Sequence, residues 1–358
     1  MQNQNGLSHR PRLFGLGPES DHDSDFEEDD GLLIIGIDFG TTYSGVAWAT
    51  KTDFQSEQIN VITSWPGSGR EEGKAPTELY YEHDQIMWGY NMDSDVDPIR
   101  WFKLLLLKDE DISPELKSSE FLLRARKMMK ENRKTAIDLI SDYLRMLWKH
   151  ILDTIARDRG EDVLDALQLH VVITIPAIWK GYTRQHMQEA AKRSGILDSR
   201  RAGLTNLTFA PEPEAAAFAT LCEPNKSKNI KRGDVYLVCD AGGGTVDLIS
   251  YKIISTSPIH MEEAVEGSGG LCGGIFIDEV FESIVKNRLG RGWDQLSRAG
   301  IKDIMRGEWE QSIKPQFKPT NTKKEYIVSI PAMAFSKQSL DDTSREPFIK
   351  KGRIHFKG

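Results

Sequence analysis

One local pattern occurs twice in this chain, and it limits the possible folds more than any other feature. The first copy reads Ile34-Ile35-Gly36-Ile37-Asp38-Phe39-Gly40-Thr41-Thr42. The second reads Tyr236-Leu237-Val238-Cys239-Asp240-Ala241-Gly242-Gly243-Gly244-Thr245. Each is an apolar run with an Asp at its end, then glycine, then threonine, and a second strand-like run follows each one, at 45–49 and 246–250. A near-continuous apolar run predicts a strand buried on both faces. A glycine turn after such a strand lets backbone N–H groups approach phosphate oxygens with no Cβ in the way, and threonine hydroxyls add donors. An Asp beside polyphosphate would repel it unless it holds hydrated Mg2+, which keeps several waters and takes only one or two protein carboxylates. Two such hairpins facing one another predict two similar halves that grip a nucleotide from both sides.

The intervening segments alternate strand and helix signals. The apolar run at 169–175, stopped by Pro176, predicts another buried strand, and a further strand pair is expected at 61–63 and 79–81. Ile137, Ile140, Leu144, Leu147, Ile151 and Ile155 recur at spacings of three and four and predict one long helix to about residue 157, broken at Gly160. Helices are also expected at 182–194, with Gly195 as its cap, and at 215–221. Residues 235–238 read as a third buried strand, which makes Cys239 a small core residue. Ile277, Val280, Phe281, Ile284, Val285 and Leu289 predict an amphipathic helix closed by Gly290. Strands are expected at 326–330 and 353–356. The glycines between 267 and 274 read equally as a turn before that helix or as a phosphate-contacting loop.

Charge and cysteine content exclude several classes. The formal net charge is −8. Residues 1–30 hold eight acids against Arg10 and Arg12, so six of those charges sit there and the remainder is nearly neutral. Residues 1–31 are therefore expected to form a disordered acidic tail, and nucleic acid is not an expected partner. The polar, lysine-rich segment 225–233 reads as a loop joining the two halves. The three cysteines have no CxxC spacing, which argues against a disulfide framework or a cysteine-rich zinc site and for a cytoplasmic or nuclear compartment. No apolar run approaches the ~20 residues of a membrane helix, so no membrane partner is expected. His83, His150, His170 and His186 show no ligand-like spacing. There is no GxxxxGK[ST] phosphate loop.

Asp38-Phe39-Gly40-Thr41-Thr42-Tyr43-Ser44 resembles the first phosphate motif of the heat-shock protein 70 family, within the actin-like ATPase superfamily. Asp240-Ala241-Gly242-Gly243-Gly244-Thr245-Val246-Asp247 resembles the second. Ile173-Thr174-Ile175-Pro176-Ala177, Pro211-Glu212-Pro213-Glu214-Ala215-Ala216-Ala217 and Gly270-Leu271-Cys272-Gly273-Gly274 with Asp278 are similar to further segments of that family. The aromatic-rich insertions and Trp101-Phe102-Lys103 look like its divergent members. The resemblance implies an α/β, actin-like ATPase (ribonuclease H-like) duplicated fold with two lobes around a nucleotide cleft. The first lobe would span 32–230 with an inserted subdomain at about 64–162, and the second would span 231–358.

The resemblance also implies site roles. Asp38 and Asp240 would hold the water shell of Mg2+. Gly40, Thr41, Thr42, Tyr43, Gly242, Gly243, Gly244 and Thr245 would line the phosphates of ATP or ADP, with Gly273 and Gly274 approaching from the second lobe. Glu212 and Asp247 would be carboxylates near the metal, and Lys103 would orient the attacking water and terminal phosphate. Glu310 and Lys314 would grip the ribose and adenine. Implied partners are the nucleotide and, through the family, a J-domain co-chaperone or an exchange factor. The family's second adenosine motif and its peptide-binding β-sandwich are not found, so the second lobe is expected to be incomplete. The implied function is Mg-dependent ATP binding and slow hydrolysis with lobe closure as output. The alternative is a non-catalytic nucleotide sensor or inactive pseudo-ATPase. The choice between them is open at the level of sequence, whereas a sugar kinase or an actin-like filament former fits the motifs poorly.

Overall fold

A computed structural model describes residues 31–357 apart from 84, 223–229, 319, 321 and 322. The expected acidic tail over residues 1–30, and most of the lysine-rich 225–233 segment, lie outside the described residues.

The first strand, β1 (Leu32–Phe39), pairs antiparallel with β2 (Tyr43–Thr50), and the turn between them is the first glycine–threonine segment. Two short strands, β3 (Asn60–Val61) and β4 (Ala75–Pro76), add to β2. A separate hairpin is formed by β5 (Leu79–Glu82) and β6 (Gln85–Trp88). The segments expected to lie side by side at 61–63 and 79–81 thus have different partners, because β2 offers the first a free edge and the chain return at 85–88 captures the second. After helices α1 (Glu120–Glu131) and α2 (Ala136–Arg159), β7 (Gln168–Ile175) runs parallel to β1. Helix α3 (Gly181–Arg193) then leads to β8 (Asn206–Pro211), parallel to β7, and α4 (Glu212–Leu221) follows. The sheet order is β3-β2-β1-β7-β8.

Helix α2 begins at a reciprocal cap, with the Thr135 hydroxyl accepting from the Asp138 N–H and the Asp138 carboxylate accepting from Thr135. It ends at Gly160, whose φ of 97° is one that glycine adopts without strain. Its stripe of Ile140, Leu144, Leu147, Ile151 and Ile155 packs with Leu33, Ile35, Ile37 and Phe39 of β1 in one core. Each such side chain contributes about 1.5–3 kcal/mol by leaving water. Burial along β1 alternates, however, and Ile34 on its other face is exposed. The strand predicted to be covered on both faces is fully covered on one, because α2 and α3 both pack against that side.

The second half repeats the opening. Strands β9 (Val235–Ala241), β10 (Val246–Thr256) and β11 (Ile259–Gly270) form an antiparallel meander. The expected turn around 267–270 is the end of β11, in register with Val246 to Leu248. Helix α5 (Gly274–Leu289) follows, and then a π-helical run, Asp303–Ile313. A three-stranded sheet of β12 (Glu325–Ser329), β13 (Phe348–Lys350) and β14 (Arg353–Lys357) has the order β12-β14-β13. A second core joins Phe281, Val285 and Leu289 of α5 to Ile304, Ile313, Val328 and Ile354.

Two expectations fail here. Strand β9 is not buried: Val235 is 60% and Leu237 69% exposed, and Cys239 is exposed rather than a core residue. Helix α5 buries Ile275, Phe281, Val285 and Leu289, but Ile277, Val280 and Ile284 of its predicted apolar stripe are exposed. In the first sheet the far edge of β1 is taken by β7. Among the described residues the corresponding edge of β9 has no strand, and the face carrying Val235 and Leu237 is exposed while Tyr236 and Val238 pack against Ala217 and Leu221. An open, apolar edge is a site of self-association. Leu237→Lys is therefore expected to change stability by less than ~0.5 kcal/mol, as for an exposed position. It should also lower binding of an apolar dye and raise the protein concentration at which scattering begins. A large loss of stability in that variant would show that Leu237 is covered in solution.

Candidate functional site

The two glycine–threonine turns meet. A Cβ on Gly243 would lie 2.4 Å from the Thr42 hydroxyl oxygen, and one on Gly244 would lie 2.6 Å from that of Thr41. Only glycine allows this approach. Gly40 closes the first turn, where a Cβ would strike the Tyr43 carbonyl oxygen at 2.2 Å. Thr41 and Thr245 are buried. The sequence places each turn after a strand that ends in Asp, so contact between the turns draws the strand ends together. Asp38 then adds to the cost of ionising Asp240. Burial pushes the Asp240 carboxyl up, Asp38 pushes it further, and Lys103 and Lys74 partly offset both.

Lys103 lies in a 3-10 turn, Phe102–Leu106. Its side chain is 1% exposed. The ammonium donates to the Phe39 carbonyl at 2.5 Å and to Glu212 Oε1 at 2.7 Å, and lies over the rings of Phe39 and Trp179. Glu212 opens α4, where a carboxylate is favoured by the helix dipole. Burial pushes its carboxyl up, Lys103 opposes that, and Asp38 and Asp240 add to it. Asp247 is fully buried on β10, and neither of its carboxylate oxygens makes a hydrogen bond of ordinary geometry. Burial pushes its carboxyl up too, against nearby Thr245 and the Ile178 N–H.

Beside these groups a cavity of about 490 Å3 is lined by Thr41, Thr42, Tyr43, Gly242, Gly243 and Gly274, and on its far side by Glu310 and Lys314. That volume lies within the range of ordinary ligand pockets. Lys314 bonds Glu310 at 2.9 Å and Asp278 at 2.8 Å, so its charge is already matched. Gly273 and Gly274 sit at the start of α5, but their N–H groups donate to the carbonyls of Gly244 and Gly242, and Ile275 N–H donates to Gly243. The expected approach of these two glycines is thus realised against the second turn itself, whose carbonyls consume the free donors of the helix start.

Several residues of the site were not found by sequence reasoning. Glu78 is buried between Arg100, at 2.9 Å, and Arg306 from the second half. Burial would push its carboxyl up, but the two guanidinium groups outweigh that and hold it below the usual range. Lys74 bonds Asp38 Oδ2 at 2.5 Å. Neither contact leaves a local signal, since Glu78 and Arg306 are 228 positions apart.

The donor set suits a hydrated ion better than a directly ligated one. Among the described residues no three acidic, His or Cys side chains converge as a metal-binding group. The four carboxylates Asp38, Glu212, Asp240 and Asp247 nonetheless repel one another around the turns, and the buried Asp247 oxygens have no partner. Mg2+ bound through its waters and through substrate phosphates needs no more than one or two of them.

Heat shock 70 kDa protein 12A of Mus musculus is 26% identical to this chain over 325 residues, 74% of the chain and 47% of that protein. Heat shock 70 kDa protein 12B of Homo sapiens is 26% identical over 312 residues, covering 71% and 44%. The chain is similar to divergent members of the heat-shock 70 family. Chaperone protein HscA of Proteus mirabilis is 27% identical over 288 residues, covering 76% of the chain and 41% of that protein. No family profile matches the chain. The heat-shock 70-like chain therefore spans about half the length, or less, of the curated relatives it matches. These relatives imply the actin-like ATPase fold, and the mixed α/β order of strands and helices agrees with it.

Proposed function

We propose that this heat-shock 70-like chain binds Mg·ATP between two lobes, 32–230 and 231–358, and hydrolyses it slowly, with closure of the lobes as the output. The observation that carries this reading is the face-to-face contact of the two Asp–Gly–Thr turns, with the Lys103–Glu212 pair directly behind them. In this reading, backbone N–H groups of the turns and the hydroxyls of Thr41, Thr42 and Thr245 hold phosphate oxygens. Asp38 and Asp240 hold Mg2+ through its waters, and Glu212 and Asp247 extend that shell. The ion supplies charge neutralisation for the phosphates. Lys103, fixed by Phe39 and Glu212, presents a positive charge where negative charge gathers during phosphoryl transfer. Glu310 and Lys314 hold the nucleoside side. The Glu78–Arg306 pair joins the halves across the cavity and would be remade as the lobes move.

Calorimetric titration of the full chain with Mg·ATP, paired with phosphate release, tests the proposal. The expected result is saturable binding that is lost in EDTA and weakened at least tenfold in Asp240→Asn, with turnover of about 1 s−1 or less, at the slow end of enzyme rates. A folded chain that binds no nucleotide would overturn it. Binding with no phosphate release would support the other reading, a nucleotide sensor. The engagement of Lys103 with the Phe39 carbonyl and Glu212 favours that reading, because a locked ammonium has little freedom to follow the reaction.

A further inference from the structure

Lys74 brings a partly exposed ammonium to the end of β1, and the fold clears a path for it. The residue precedes β4, which pairs with the start of β2 directly after the first glycine–threonine turn. That attachment is tight. Thr77 N–H donates to the Thr42 carbonyl at 2.8 Å, Ser44 and Thr77 share a buried hydroxyl bond at 2.8 Å, and Tyr90 donates to the Lys74 carbonyl at 3.2 Å. The backbone of Lys74 is thus fixed beside the turn. Its side chain lies across Gly45, where a Cβ would come within 3.2 Å of Lys74 Cγ. Gly45 is the register partner of Asp38 on β1. The missing side chain at 45 is what lets the lysine stem cross β2 and reach the carboxylate.

The two lysines near the carboxylates differ in freedom. Lys103 is buried and held by a carbonyl, a carboxylate and two rings. The Lys74 side chain is 52% exposed, and Asp38 is the one hydrogen-bond partner of its ammonium among the described residues. Both Asp38 oxygens are in turn already engaged: Thr174 donates to Oδ1 at 3.2 Å and Lys74 to Oδ2 at 2.5 Å. A hydrated cation and Lys74 therefore compete for the same carboxylate oxygen.

We propose that Lys74 is a phosphate-reading residue: it guards Asp38 while the site is empty, and transfers its ammonium to the terminal phosphate when Mg2+ takes over Asp38. The proposal rests on the Mg·ATP reading above and adds to it the group that tells a nucleoside triphosphate from a diphosphate. A lysine suits this exchange because its charge is a compact point on a flexible stem with three donors. The diphosphate brings the ion but has no third phosphate to receive the displaced ammonium.

Mg·ATP and Mg·ADP are titrated by calorimetry into the wild type, Lys74→Met, Lys74→Arg and Gly45→Ala, with folding checked by circular dichroism. In Lys74→Met the affinity for Mg·ATP is expected to fall about tenfold, the worth of one charge-assisted hydrogen bond, while that for Mg·ADP changes less than twofold. Lys74→Arg keeps most of the preference, and Gly45→Ala loses part of it with the lysine still present. Independently, Mg2+ alone should raise the unfolding temperature of Lys74→Met at lower ion concentration than it does for the wild type, because Asp38 is no longer shared. An equal loss for both nucleotides, or an unchanged ratio, overturns the role of Lys74 and leaves the nucleotide site standing. A wild type that binds neither nucleotide overturns both.

Discussion

Lys103→Met is expected to reduce turnover by about 10^2–10^3, the usual loss when one electrostatic donor to the transition state is removed, and to destabilise the chain as well. The ammonium is 1% exposed and neutralises Glu212, which is itself only 16% exposed. Removing one partner of a buried pair leaves the other charge uncompensated, at about 3 kcal/mol, the low end for such pairs because Glu212 keeps some contact with water. The sign of the pH dependence follows. The Glu212 carboxyl is already pushed up in the folded chain by burial, Asp38 and Asp240, and losing Lys103 pushes it further. A carboxyl raised on folding binds its proton more tightly in the folded state. The stability deficit of the variant is therefore absent below the ordinary glutamate range and grows as pH rises through the raised folded value. Denaturant melts of wild type and variant at pH 4, 5.5 and 7 measure this. A deficit that is the same at all three would mean that the Lys103 stem packs but its charge does not matter.

Asp240→Asn is expected to do the opposite to stability while removing function. Burial and Asp38 raise the Asp240 carboxyl, so its ionised form opposes folding at neutral pH. The amide keeps the shape and removes the charge. The nucleotide-free variant should melt a few degrees higher than the wild type at pH 7, as for a gain of about 1 kcal/mol. The gain should shrink as pH falls through the raised folded value toward the ordinary aspartate range, where the carboxyl takes up its proton in both states. The same substitution removes one of the two groups proposed to hold the Mg2+ waters, so a given Mg·ATP concentration should stabilise the wild type more than the variant. Active sites store such unfavourable charge, and replacing it commonly trades activity for stability. A variant less stable than the wild type at pH 7 would show that Asp240 is neutralised by Lys103 and Lys74 before any ion arrives.

Much of the framework was legible without coordinates. The runs ending at Asp38 and Asp240 became β1 and β9, each followed by its antiparallel return. The three-four spacing from Ile137 to Ile155 became α2, and Gly160, Gly195 and Gly290 ended helices as expected. Lys103 and Glu212 were each assigned to the site by resemblance, without being paired, and the structure brings them into contact. What was not legible depends on neighbours. The strand β11 was hidden because residues 262–270 are acidic and glycine-rich, without the alternation of a half-buried strand. The exposed faces of β9 and α5 read as core because an apolar residue carries no mark of whether another layer will cover it.

The sequence by itself determined where strands end in Asp, where glycine allows a tight turn, and which helix carries the long apolar stripe, because these follow from local sterics and periodicity. Tertiary structure alone decided that Lys74 crosses Gly45 to Asp38, that Glu78 sits between Arg100 and Arg306, and that Leu237 faces solvent. Charge pairing and burial depend on distance through space. Residues 36, 109 and 228 positions apart become neighbours only once the sheets and helices have packed.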